Sequence, residues 1–268
     1  MVPVADQDLE ADAQETVTVE DDAELLSAEF VRFTELMDNG AYDEADASAK
    51  RIIELAIRTR GADSTDMARA LTNLAIVQHR TGEYDAARQN YASAIEIIED
   101  VEDRLNAALV NPLKGLAAAQ LESGRPDLAS TTYLRAVHVT HVNDGPHNLN
   151  QIDLLENLAE VQLRLGDMNA AKEVQNRIYA LNVRAHQADA LELIPALMRR
   201  AQWQHRAGFI FDERATYRRA IRIIEGKLGR DDLALVEPLL MLGKSFFYFD
   251  TSGTTSLNPS TILSLIHI

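Results

Sequence analysis

The sequence contains no cysteine, so disulfides and thiolate metal sites are excluded. That absence suits a reducing cytoplasm and equally a periplasm in which the residue is avoided, so the compartment stays open between the two. Glycine and proline are sparse, 12 and 7 in 268 residues, while alanine and leucine dominate. This favours helices over a β-rich fold. No run of 18 apolar residues occurs, and no membrane insertion is expected. Met1, Val2 and Pro3 lead into acidic residues, without the basic and apolar regions of a secretory signal. Basic charge is also short: 26 Lys and Arg face 42 Asp and Glu, a net −16. Phosphate backbones need a basic face, so nucleic acid is not an expected partner.

Nine of the acids lie between Asp6 and Glu24, where there is no base. Few large apolar residues accompany them, and the charges repel. Residues 1–24 therefore read as an acidic, disordered tail.

What the sequence does have is a period. Gly40, Gly82, Gly124, Gly166 and Gly208 follow one another at intervals of 42 residues. Leu71, Leu113, Leu155, Leu197 and Leu239 keep the same phase. So do Leu74, Leu116, Leu158 and Leu242, a column broken by Arg200, and Ala45, Ala87, Ala129 and Ala171. Tyr91, Tyr133 and Tyr217 form another. Between glycines the apolar residues follow helical spacing, first Leu71, Leu74 and Ala75, then Tyr84, Ala87, Tyr91, Ala94, Ile95 and Ile98. Each period thus predicts two helices of roughly fifteen residues joined at a glycine that permits positive φ. A single pair cannot bury both its faces, so pairs must stack.

The columns Leu71, Leu74-Ala75, Gly82, Tyr84, Ala87, Tyr91 and Ala94 resemble the tetratricopeptide repeat, with Gln78 in place of its first tyrosine. The 42-residue period is similar to the variant of kinesin light chains and many bacterial proteins, and Leu228-Gly229-Arg230-Asp231-Asp232 resembles its inter-repeat loop. The resemblance implies an all-α fold, an α-α superhelix or tetratricopeptide solenoid of about five and a half helix-turn-helix repeats. The array spans residues 25–249 and is followed by a turn-rich tail, 250–268. That tail reads either as a cover for the open end or as the scar of a truncated frame.

Several repeats depart from the pattern. The first has Glu29 and Arg32 at apolar positions and reads as a solvated cap. The fourth has Gln175 and Ile178 in place of aromatic and alanine. The fifth has Arg200 and Glu213, where looser packing or local polar pairing is expected.

In this family the first helices of successive repeats line a concave groove. The resemblance places Arg69, Asn73, Ile76 and Arg80 there from the second repeat, and Asn111, Lys114 and Ala118 from the third. Asp153, Asn157 and Glu160 follow from the fourth, and Arg199, Gln202 and Arg206 from the fifth. Asn73 and Asn157 fall in the column that resembles the peptide-backbone contacts of kinesin light chains, and an amide both donates and accepts. Bases at both ends and acids between them, Glu156 included, suit a ligand of mixed charge. Lys114, Asn157 and Arg199 fall at three of five positions of the family's carboxylate clamp. Ala118 and Pro195 replace the other two, so a clamp is not expected.

No phosphate loop, nucleophile elbow or zinc-protease helix occurs. His138, His141 and His147, with Asp144 among them, read as exposed loop residues more readily than as metal ligands. His79 and His205 share one column and are expected to face the groove. Trp203 reads as packing between repeats before it reads as a partner's anchor. The expected function is a non-enzymatic scaffold without cofactors, binding a protein or peptide. The alternative is a regulatory module of a larger signalling or cell-envelope protein. Self-association through the C-terminal edge of the array is a further expectation.

Overall fold

The computed structural model describes the backbone of residues 5–247 and the side chains of residues 21–247. The 250–268 tail, with both of its readings, lies outside the described residues. Eleven α-helices follow one another among the described residues, with no strand. They are α1 (Ala5–Asp38), α2 (Tyr42–Arg60), α3 (Thr65–Arg80), α4 (Tyr84–Val101), α5 (Val110–Glu122), α6 (Pro126–Asp144), α7 (Gln151–Arg164), α8 (Met168–His186), α9 (Ile194–Arg206), α10 (Ile210–Leu228) and α11 (Val236–Phe247). Short 3₁₀ turns precede α5, α9 and α11. Successive helices pair as α1/α2, α3/α4 and so on, which makes five repeats and the first helix of a sixth.

The chain divides at Pro146 and His147, beside a Gly-Pro step, into two compact units. The amino-terminal unit holds α1–α6 and the carboxy-terminal unit α7–α11. Charge divides with them. Residues 1–146 carry 12 basic against 28 acidic side chains, and residues 147–268 carry 14 against 14. The whole surplus of acid therefore belongs to the amino-terminal unit.

Each turn inside a repeat is closed in the same way. The five glycines of the ladder all have positive φ, between 70° and 86°. The residue after each donates its backbone N–H to a carbonyl five residues back: Ala41 to Leu36, Glu83 to Gln78, Arg125 to Gln120, Asp167 to Gln162 and Phe209 to Gln204, at 2.7–2.9 Å. This is the six-to-one bond of a Schellman end, and it needs a residue free to adopt the left-handed region. Four of the five carbonyls belong to glutamine, and three of those side chains tie the pair together. Gln78 Oε1 accepts from Asn90 Nδ2 at 2.7 Å. Gln120 Oε1 accepts from Thr132 Oγ1, and Gln204 Oε1 from Thr216 Oγ1, both at 2.8 Å. A glutamine thus occupies the family's tyrosine position and latches the second helix to the first through its side chain, while its carbonyl closes the turn.

The core follows the predicted columns. Leu26, Phe33, Ala45, Ala49, Ile52, Leu55 and Leu74 pack α1, α2 and α3 together. Ala75, Ala87, Tyr91 and Ala119 continue the core through α4 and α5. In the carboxy-terminal unit Met198, Ala201, Tyr217, Ile221, Ile224 and Leu242 join α9, α10 and α11. The alanines at 45, 75, 87, 159, 171 and 201 are fully buried, so backbones approach closely where they face each other.

Residues 5–24, expected as an acidic tail, fall within the span of α1, and Asp22 pairs with Arg58 of α2 at 2.9 Å. One local expectation needs correction. Glu29 is not solvated: it is buried, with Arg32 and Arg51 at 3.6 and 3.9 Å. Its neighbours neutralise the charge that would otherwise make burial costly.

Candidate functional site

The residues expected to meet a partner lie on the first helices of the repeats. In the amino-terminal unit they occupy α3 and α5, which touch one another. Ile76 is half-buried and packs on the Ala75, Ala87 and Tyr91 cluster. Arg69 is engaged within the fold: its guanidinium lies 4.4 Å over the Phe30 ring of α1 and 3.4 Å from Asp66. Arg80 and Asn111 are exposed, while Asn73 and Lys114 are half-buried.

His79, also on α3, is half-buried and meets the Tyr84 ring edge-on at 5.3 Å. Its Nε2 is closed off from water and has no hydrogen-bond partner. Burial holds its pKa below the usual histidine value; Glu122 opposes that shift and Arg80 reinforces it. The unfolded chain therefore binds the proton more readily than the folded one. His79's contribution to stability is complete above pH 6.5 and is lost as pH falls through the depressed folded value. The denaturant midpoint of the wild type should consequently fall more between pH 7.5 and pH 5 than that of His79→Gln. Parallel declines would remove His79 from the account.

In the carboxy-terminal unit α7 supplies Asp153, Asn157 and Glu160, and α9 supplies Arg199, Gln202 and Arg206. The opposite charges of the two helices pair with one another. Arg199 Nε lies 3.1 Å from Glu156 Oε1, and Arg206 3.7 Å from Glu160. The mixed signs that suit a ligand of mixed charge are thus partly satisfied internally. Asn157 donates its amide to the Asp153 carbonyl at 2.8 Å, which leaves its side-chain oxygen for another donor. Gln202 is exposed.

Beside α9 is a pocket of roughly 470 Å³, walled by α7, α8, α9, α10 and α11. Arg199, Gln202 and Arg206 line it, together with Arg200, Trp203 and His205 of the same helix. The pocket lies where the fifth repeat leaves the pattern. Arg200 stands in the leucine column, and its long side chain turns toward α8. There it donates to Asn176 Oδ1 at 2.8 Å and the Gln175 carbonyl at 3.3 Å, and lies 4.6 Å over the Tyr179 ring. Glu213 stands in the alanine column, buried, with Oε2 3.2 Å from His205 Nδ1. Looser packing and polar pairing, expected here as alternatives, occur together. Trp203 is buried against Ala159, Ala171, Leu163, Val174 and Phe209, so it packs between repeats and also lines the pocket. Burial and the nearby Glu213 and Glu237 push the Tyr217 phenol up to about 12.

Residues 36–100 match the Tetratricopeptide repeat family, and the same columns recur at 42-residue intervals to α11. This chain is built of tetratricopeptide repeats. Its fold is similar to that of BtubC (BKLC) from P. vanneervenii, at 18% identity over 82% of this chain and 92% of that one, TM-score 0.62. A Podosopora anserina protein of nearly identical, kinesin-light-chain TPR-like repeats shows 13% identity over 76% and 97% of the two chains, TM-score 0.67. The Rap protein solved with Competence and Sporulation Factor shows 15% identity over 83% of this chain and 65% of its own, TM-score 0.55. No curated protein sequence matches the chain.

Tetratricopeptide repeats are in general non-catalytic and support protein interaction. Among the described residues no group of three or more histidine, aspartate or glutamate side chains is placed to hold a metal, and His138 and His141 lie exposed on α6. No described helix is long and apolar enough to cross a membrane. The pocket itself was not legible as a site. Its only signals were the two broken columns, at Arg200 and Glu213.

Proposed function

We propose that the chain is a non-enzymatic scaffold that binds a segment of another protein as a peptide along the first helices of its repeats. The pocket beside α9 carries this reading. Three side chains expected to touch a partner, Arg199, Gln202 and Arg206, line a concavity large enough to take several side chains of a bound segment. The acceptor left on Asn157 and the exposed amide of Gln202 add groups that hold an extended backbone without dictating its sequence.

The test is a selection of peptides from a random library on the full chain, followed by calorimetry with Gln202→Ala and with Asn73→Ala/Asn157→Ala. Selected peptides should bind the wild type saturably and at least one variant about five-fold or more weakly, a loss of about 1 kcal/mol. If no peptide is selected, or if every variant binds as the wild type does, the first helices are not the binding surface.

A further inference from the structure

We infer that the pocket beside α9 receives a carboxylate. The inference rests on reading this unit as a binding surface and adds the chemistry of what it binds. Four cations line the pocket, Arg199, Arg200, Arg206 and Lys244, against two carboxylates, Glu156 and Glu213. Both carboxylates are engaged, Glu156 by Arg199 and Glu213 by His205, and Arg206 is paired with Glu160 outside the lining, so Arg200 and Lys244 are the cations of the wall that carry the surplus. Lys244, on α11, has no ion-pair partner among the described residues. Arg200 is half-buried, and its hydrogen bonds go only to a carbonyl and an amide oxygen. Burial draws its guanidinium below its ordinary pKa, with Asp212 and Tyr179 opposing the shift and Arg219 adding to it. A half-buried cation with no ion pair of its own carries a desolvation cost that an incoming anion relieves.

The neutral groups agree. Trp203 is only 4% exposed, and its indole nitrogen has no acceptor. The Tyr179 hydroxyl is likewise buried without a partner. The indole can only donate. The wall therefore holds surplus positive charge, and two donors without acceptors lie buried behind it, a setting that suits a ligand bringing oxygens and a negative charge. The site arises from departures particular to the fifth repeat, because a leucine at position 200 would supply neither charge nor donor.

Trp203 is the sole tryptophan, so its emission reports on the pocket. The full chain would be titrated with the blocked peptide Ac-Ala-Ala-Glu-Ala-Ala-NH₂, the same peptide with glutamine for glutamate, free glutarate, and inorganic phosphate. The glutamate peptide should shift the emission saturably and bind at least ten-fold more tightly than the glutamine peptide. Arg200→Leu and Lys244→Ala should each weaken it ten-fold or more. Arg200→Leu restores the leucine of the column and keeps the helix packed; should it nevertheless unfold, the exposed Lys244→Ala carries the test. Glutarate binding as tightly as the peptide supports the carboxylate and assigns it to a small acid; weaker binding by glutarate assigns it to a peptide side chain. Equal binding of the two peptides, no saturable change with any carboxylate, phosphate binding as tightly as glutarate, or an unaffected Arg200→Leu each overturn the inference. Library-selected peptides that bind without an acidic residue would leave the scaffold reading standing while this one fails.

Discussion

Gly115→Ala should destabilise the wild type by about 1–3 kcal/mol, the usual cost of forcing an extra methyl into a packed core. The same change should stabilise a Tyr91→Leu background. Gly115 lies inside α5, where alanine is ordinarily preferred over glycine by about 1 kcal/mol. A Cβ at this position, however, would collide with the outer edge and hydroxyl of the Tyr91 ring, which is 3% exposed and enclosed by Ala75, Ala87 and Ala119. A rigid ring so enclosed can move only by displacing α4 or α5. Removing the ring leaves helix propensity as the deciding effect. Denaturant unfolding of the four variants in a double-mutant cycle gives the answer directly. A stabilising effect of Gly115→Ala in the wild type would show that the ring yields easily, and the close approach of the two helices would then be incidental.

The second expected result concerns Gln187. The loops between repeats carry their own glycine column. Gly61, Gly145 and Gly229 have φ of 85°, 87° and 98° with ψ of 166°, 163° and 173°. Gln187 stands in that column with φ 64° and ψ 158°, the single positive-φ residue other than glycine among the described residues. This region of backbone space is nearly reserved for glycine, and a residue with a Cβ held there is strained by about 1–3 kcal/mol. Gln187→Gly should raise stability by about 1 kcal/mol after the greater freedom of glycine in the unfolded chain is deducted. Gly229→Gln should lower it by a similar or larger amount. Thermal unfolding of the two variants forms a reciprocal pair, and movement of both midpoints in one direction would contradict the account.

Gln187 also shows what the sequence could convey. The repeat was legible because five glycines keep one phase and the leucine and alanine columns agree with it. The loop glycines share the same period, but their column is interrupted by Asp103 and Gln187, and α4 ends at Val101, so the pattern is hard to see. The glutamines at 78, 120, 162 and 204 were equally periodic. A polar column does not announce itself as core, and its role became plain only with Asn90, Thr132 and Thr216 placed opposite. The pocket was less legible still. Arg200 and Glu213 marked a departure, but whether a long side chain closes a gap or opens one depends on the rotamer it adopts. That rotamer is set by Asn176 and Tyr179 on a different helix. The pairing of Arg199 with Glu156 and of Arg206 with Glu160 depends on the register of α7 against α9, and helical spacing alone does not determine it.

The glutamine latch bears on how such a chain is inherited. Its donor, its acceptor and the glycine that lets the turn close all lie within a single stretch of forty-two residues. A stretch copied or excised as a whole carries its fastening with it and presents the same columns to whatever flanks it. The number of repeats can therefore change without rewriting the rest of the gene. Differences between repeats, by contrast, lie in single positions within one copy, as at Arg200 and Glu213 in the fifth.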